Sequence, residues 1–212
     1  MIDLIFSKDD LNNSTILTRN GLIRYQTITR INPDVPTATR LRWIPENLAK
    51  PPHEVAVIQW RILSEPITIF SDLLSKLEVR AAPKAGGGVS AKEWLRGKNK
   101  LTHRYYFWGD DGLEYRWKVT KGVGCELTNA TTKDLIAYSS RKFVDEGVLS
   151  GEVKPVLCIA DDTSIGLDLL MMSFLIVEHK RVKKYGEDYK WEPANGDLRM
   201  QSSGIGGGGG EG

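Results

Sequence analysis

A chain of 212 residues can bury a sizeable core within one domain, and its 41 % hydrophobic and 26 % charged content is ordinary for a globular protein in water. The formal net charge is only +2, so no whole-molecule field selects nucleic acid or membrane, and any basic surface has to be local. The opening MIDLIFSKDD has neither a basic segment nor a long apolar run, so no signal peptide is expected.

In chain order, residues 4–6 read as a short apolar strand and Asn12-Asn13-Ser14 as a turn. Residues 15–19 and 22–31 read as two strands joined at Asn20-Gly21, the strongest two-residue hairpin signal present. Pro33 and Pro36 break the chain before a strand over 39–44, which puts Leu41 and Trp43 on one face. After a proline-bounded loop, 54–63 alternates strongly, with Ala56, Ile58, Trp60 and Ile62 on one face. A strand over 67–70 follows, residues 73–81 suit strand or helix, and 83–88 (PKAGGG) reads as a flexible loop. Ser90 and Glu93 have the spacing of a capping box for one short helical turn, with Trp94 and Leu95 pinning it to the core. Residues 103–108 and 113–119 form an aromatic-rich hairpin, and strands over 125–129, 135–139 and 148–159 complete the set.

The last element is different. Residues 165–177 (IGLDLLMMSFLIV) are apolar on nearly every helical face, broken only by Gly166, Asp168 and Ser173. Thirteen residues fall short of the ~20 needed to span a bilayer, and Asp168 would be costly in lipid. A helix about 10 Å across does not fit the self-filled core of a sandwich, whereas a barrel of more than about eight strands has a lumen to fill. The pattern therefore predicts a mainly β fold: a closed antiparallel barrel of about twelve strands around a central hydrophobic C-terminal helix. The expected domain covers 1–186, with its core helix over 163–179 and N-cap candidates at 161–164. Residues 187–212 read as a polar, Gly-rich, disordered tail.

These motifs carry a resemblance. Tyr106-Phe107-Trp108, the Asp111-Gly112 turn, Tyr115-Arg116-Trp117, the Leu135-Ile136-Ala137 strand and the helix running into Glu178-His179-Lys180-Arg181 together resemble an uncharacterised fungal family, domain of unknown function 6593. Its members are tubby-like, similar to scramblase and LURP-one-related proteins, and the likeness covers roughly 2–184. It implies a twelve-strand barrel around a C-terminal helix and no catalytic residues. No tubby phosphoinositide motif matches position by position.

Signals for chemistry are sparse. His53, His103 and His179 lack metal-ligand spacing, and Gly86-Gly87-Gly88 lacks the Lys-Ser/Thr of a phosphate loop. Asp110-Asp111 and Asp161-Asp162 suit turns and caps better than a calcium loop. Cys125 and Cys158, each alone in an apolar segment, read as buried free thiols suited to a reducing cytosol; one disulfide between them is the alternative. No enzyme, cofactor or metal is expected. The most suggestive cluster is Lys92, Arg96, Lys98, Lys100 and Arg104, which share a thirteen-residue stretch with one acid, Glu93. With Trp94 among them they could contact anionic headgroups, as a cytoplasmic protein peripheral to membranes; a solvated loop is the simpler reading of the same residues. Lys180, Arg181, Lys183 and Lys184 read as complements to the helix dipole. A protein partner on the barrel exterior is the alternative function, and an enzyme with a pocket at the barrel mouth comes third; nucleic acid is disfavoured, since no reader motif is present.

Overall fold

The computed structural model describes residues 1–32, 35–47, 49–60, 66–77, 87–97 and 103–185. The sequence expectations for 61–65, 78–86, Lys98, Lys100 and the tail from 187 lie outside them. Strands β1 (Ile2–Phe6), β2 (Thr15–Thr18), β3 (Ile23–Asn32), β4 (Val35–Trp43), β5 (His53–Gln59), β6 (Thr68–Phe70) and β7 (Val89–Ser90) make one arm of a sheet. The other arm comprises β8 (Arg96–Gly97), β9 (Arg104–Trp108), β10 (Glu114–Thr120), β11 (Gly124–Asn129), β12 (Leu135–Phe143) and β13 (Val153–Ile159). Pairing of β13 with β1 joins the arms into one 13-stranded antiparallel sheet, ordered β7-β6-β5-β4-β3-β2-β1-β13-β12-β11-β10-β9-β8. Helices α1 (Asp72–Lys76), α2 (Ala91–Trp94) and α3 (Leu167–Tyr185) complete the fold.

The ladder does not close, which corrects the expected closed barrel. Strands β7 and β8 are its edges, and among the described residues no pairing joins them. Each has two residues, too few to offer more than a token ladder. The chain instead crosses the seam through α2. Six residue steps separate Ser90 from Arg96, and four of those residues are coiled in α2, so the edges stand well within the ~20 Å an extended link would reach. Trp94 and Leu95 are buried there, with the Trp94 ring edge-on to Phe107 at 5.5 Å. The helical turn is as expected, but its capping box is not: the Ser90 side chain makes no cap hydrogen bond.

The sheet curls around α3. Residues 169–177 of the helix are all buried, along with Glu178 and Arg181. Phe174 meets Phe6 of β1 at 5.9 Å and Trp117 of β10 at 5.8 Å between ring centroids. The Tyr25 hydroxyl of β3 donates to Asp168, and Trp60, just past β5, stacks on His179 at 4.0 Å. Contacts from both arms onto one helix require a curled sheet. The one polar residue mid-helix is satisfied: Trp117 Nε1 donates to Ser173 Oγ at 2.9 Å, and Ser173 Oγ donates to the Leu170 carbonyl.

Three other expectations shift. β4 begins at Val35 and runs through Pro36, because its partner β3 continues to Asn32. β13 begins at Val153 rather than 148; Gly147–Leu149 is a separate 3₁₀ turn. α3 begins at Leu167 rather than 163 and continues six residues past the expected end at 179, where Glu178 and Arg181 find each other in the core. No helix among the described residues is long and apolar enough to cross a membrane.

Because Phe174 stands between rings from β1 and β10, Phe174→Ala should lower unfolding stability by about 3–5 kcal/mol. Urea denaturation should show this as a lower midpoint at unchanged slope. A loss below about 1 kcal/mol would mean that the helix does not fill the sheet.

Candidate functional site

The two ends of α3 are chemically unlike. At its start, Gly166 N–H donates to Asp110 Oδ1 at 2.8 Å, from the turn between β9 and β10. A Cβ at position 166 would meet that carboxylate, so a larger residue there would push the Asp110 side chain aside and loosen this contact. The predicted caps at 161–164 are displaced by this long-range one, and Ser164 instead donates to Asp111. Burial alone would raise Asp111, but hydrogen bonds from Ser164, Tyr115 and the Leu113 backbone hold it below its usual range. Burial and that same contact push Tyr115 up to about 12.

The far end of α3 is basic, and its polar groups are tightly organised. Arg181 donates from Nε and Nη2 to the two Glu178 oxygens at 2.7 and 2.6 Å, a buried bidentate pair. Arg181 is therefore core, not the exposed dipole complement the sequence suggested. The Cys125 thiol donates to Glu178 at 3.5 Å, and burial pushes it well up, away from reactive thiolate. Cys125 and Cys158 are both buried and free, as expected. Burial, with the charges of Lys183 and Lys180, pushes His179 down to about 4. Burial lowers Lys180 to about 8, and its ammonium lies 4.6 Å from the Tyr105 ring centre.

The sequence-predicted basic residues divide. Lys92 is exposed on α2. Arg96 is exposed on β8 and ion-paired with Glu114 at 3.2 Å. Arg104 is exposed at the start of β9, opposite Lys118. Lys98 and Lys100 lie outside the described residues. What the fold brings together is a different set. His103, beside Arg104, touches the Lys184 ammonium, and Val119 N–H donates to the His103 carbonyl at 3.1 Å. Two residues beyond Val119, Lys121 lies in the β10–β11 turn on the same rim. Antiparallel pairing also brings the end of β12 and the start of β13 to this rim, where Phe143 and Val153 face each other at 64 % and 52 % exposure. Among the described residues, Arg104, Lys121, Lys180, Lys183 and Lys184 form no ion pair with a carboxylate. The sequence hides this rim because its parts are eighty residues apart; helix-end lysines and a strand-start arginine were its only signals. Among the described residues, no three His, Cys, Asp or Glu side chains are placed to hold a metal ion.

A family model described as a family of unknown function (DUF6593) matches residues 9–183. None of the curated proteins matches significantly. The X-ray structure of a protein from Arabidopsis thaliana is similar at 11 % identity and a TM-score of 0.44, over 86 % of this chain and 91 % of that one. Similarity of that degree assigns neither fold nor function.

The depressed His179 gives the folded state a pH dependence. Above about pH 6.5 the imidazole is neutral in both folded and unfolded chains; as pH falls from 6.5 through about 4, the unfolded chain takes the proton first and stability is lost. His179→Phe keeps a ring on Trp60 and removes that loss. Thermal unfolding midpoints of the wild type should therefore drop relative to the variant across this window. Parallel profiles would place His179 in water.

Proposed function

This chain belongs to the family of unknown function DUF6593, and we propose that it is a non-catalytic binding module whose basic rim docks on anionic phospholipid headgroups at a cytosolic membrane face. The observation that carries the reading is the rim at the end of α3. There Arg104, Lys121, Lys180, Lys183 and Lys184 gather without carboxylate partners among the described residues. Each basic residue near an anionic bilayer contributes about 1 kcal/mol, so the four exposed ones, Arg104, Lys121, Lys183 and Lys184, suffice for reversible docking. Exposed Phe143 and Val153 on the same rim supply shallow apolar contact. The resemblance of the aromatic hairpin and terminal helix to tubby-like domains supports the reading by analogy of fold alone. Of the residues the sequence singled out, Arg104 belongs to this rim, whereas Arg96 is neutralised by Glu114.

A protein partner is the second reading, and a different observation favours it. Trp108 and Leu113 are exposed on the β9–β10 hairpin at the opposite rim, and Leu135 is exposed at the start of β12.

Co-sedimentation with vesicles tests the first reading. Binding to phosphatidylserine or phosphoinositide vesicles should exceed binding to phosphatidylcholine and weaken as salt rises. Lys183→Ala with Lys184→Ala should cost about 2 kcal/mol, roughly thirtyfold in affinity, whereas Arg96→Gln should change little. Equal binding to neutral and anionic vesicles, or none to either, would reject it.

A further inference from the structure

We propose that the cleft at the start of α3 binds a small organic cation, an ammonium group carrying an apolar arm. This site lies on the rim opposite the basic one and does not depend on membrane docking. The cleft is open, with a volume of about 430 Å³, and is bounded by the first turn of α3 and by β3, β4 and β5. Small-molecule sites span roughly 300–1,000 Å³.

Its walls are set by strand register. Tyr25 of β3 is the Cα partner of Trp43 of β4, and Trp43 is the partner of His53 of β5, so three rings cross three adjacent strands in a row. Leu73 adds an apolar side. Facing this wall are the carboxylates of Asp110 and Asp168. Each is anchored through one oxygen: Asp110 Oδ1 accepts from Gly166 N–H at 2.8 Å, and Asp168 Oδ1 accepts from the Tyr25 hydroxyl at 2.6 Å. Among the described residues, no Lys or Arg lines the cleft.

Tyr25 is itself buried and serves to hold Asp168, while Trp43 is only partly buried, so two held negative charges beside the Trp43 ring complement a cation and repel an anion. An ammonium over Trp or Tyr gains about 0.5–2 kcal/mol from the ring quadrupole, beyond its attraction to carboxylate. Trp43, Tyr25 and Leu73 are poor metal ligands, and among the described residues no three His, Cys, Asp or Glu side chains are placed to hold a metal ion, so an organic cation fits the wall better than a bare metal ion. The apolar part of the ligand would lie against Leu73 and the Trp43 ring.

Isothermal titration of the full chain with benzyltrimethylammonium chloride, against sodium benzoate at matched ionic strength, tests the proposal. The ammonium should bind saturably and benzoate should not. Asp110→Asn keeps an oxygen to cap Gly166 while removing the charge, and Trp43→Leu removes a ring; each should weaken the ammonium by between about threefold and thirtyfold. Melting followed by circular dichroism confirms that each variant is folded, and should Trp43→Leu not fold, Asp110→Asn decides. Absence of saturable ammonium binding, equal binding of benzoate, or wild-type affinity in folded Asp110→Asn would overturn it.

Discussion

A helix with no solvent face must be enclosed on every side. Residues 169–178 of α3 are buried all round, and a helix with its side chains is about 10 Å across. One flat sheet covers one face of such a helix, so a single sheet can enclose it only by curling, which the right-handed twist of strands favours. The 13 strands supply the circumference. Where the two shortest strands leave the circle unpaired, α2 lays Trp94 and Leu95 across the seam. An open ladder with an apolar stopper thus does what a closed barrel would do, and it avoids presenting two long bare edges.

Filling the interior with a helix has chemical consequences. Every polar group on the buried stretch needs a partner, since an unpaired one costs about 1–3 kcal/mol. Ser173 finds Trp117, and Glu178 finds Arg181. The same packing removes room for an interior ligand and leaves the two rims as the surfaces where the helix ends meet water. One rim gathers carboxylates around a helix N-terminus, the other lysines around a C-terminus, and both arrangements suit the helix dipole. The charges that complement the dipole locally also give the molecule two rims of opposite character.

Much of the fold is legible in the sequence because its signals are local. Asn20-Gly21 and the Gly109 to Gly112 turn declare their hairpins, and the period-two pattern of β5 puts Ala56, Ile58 and Trp60 inside. The helix declares itself by hydropathy, but only as far as Val177. Beyond that point the core continues through Glu178 and Arg181, whose charges read as solvated until the fold places them together. The open seam is equally hidden, since closure depends on whether two distant short strands meet. The basic rim joins His103 to Lys184, 81 residues apart, and the helix cap joins Asp110 to Gly166, 56 apart. No window on the sequence holds both members of either pair. Lys92 and Arg96, by contrast, stand out in sequence by proximity, yet one is simply exposed and the other is already paired.

The central claim is that α3 is the element on which the sheet is folded, so its backbone opens only when the whole domain unfolds. Native-state hydrogen exchange measures this residue by residue. Amides of residues 170–177 should be among the slowest in the chain, with opening free energies equal to that of global unfolding and the same dependence on denaturant. Exchange in α3 that is faster than in β3, β4 or β12, and insensitive to denaturant, would show that the sheet stands without the helix and would contradict the account.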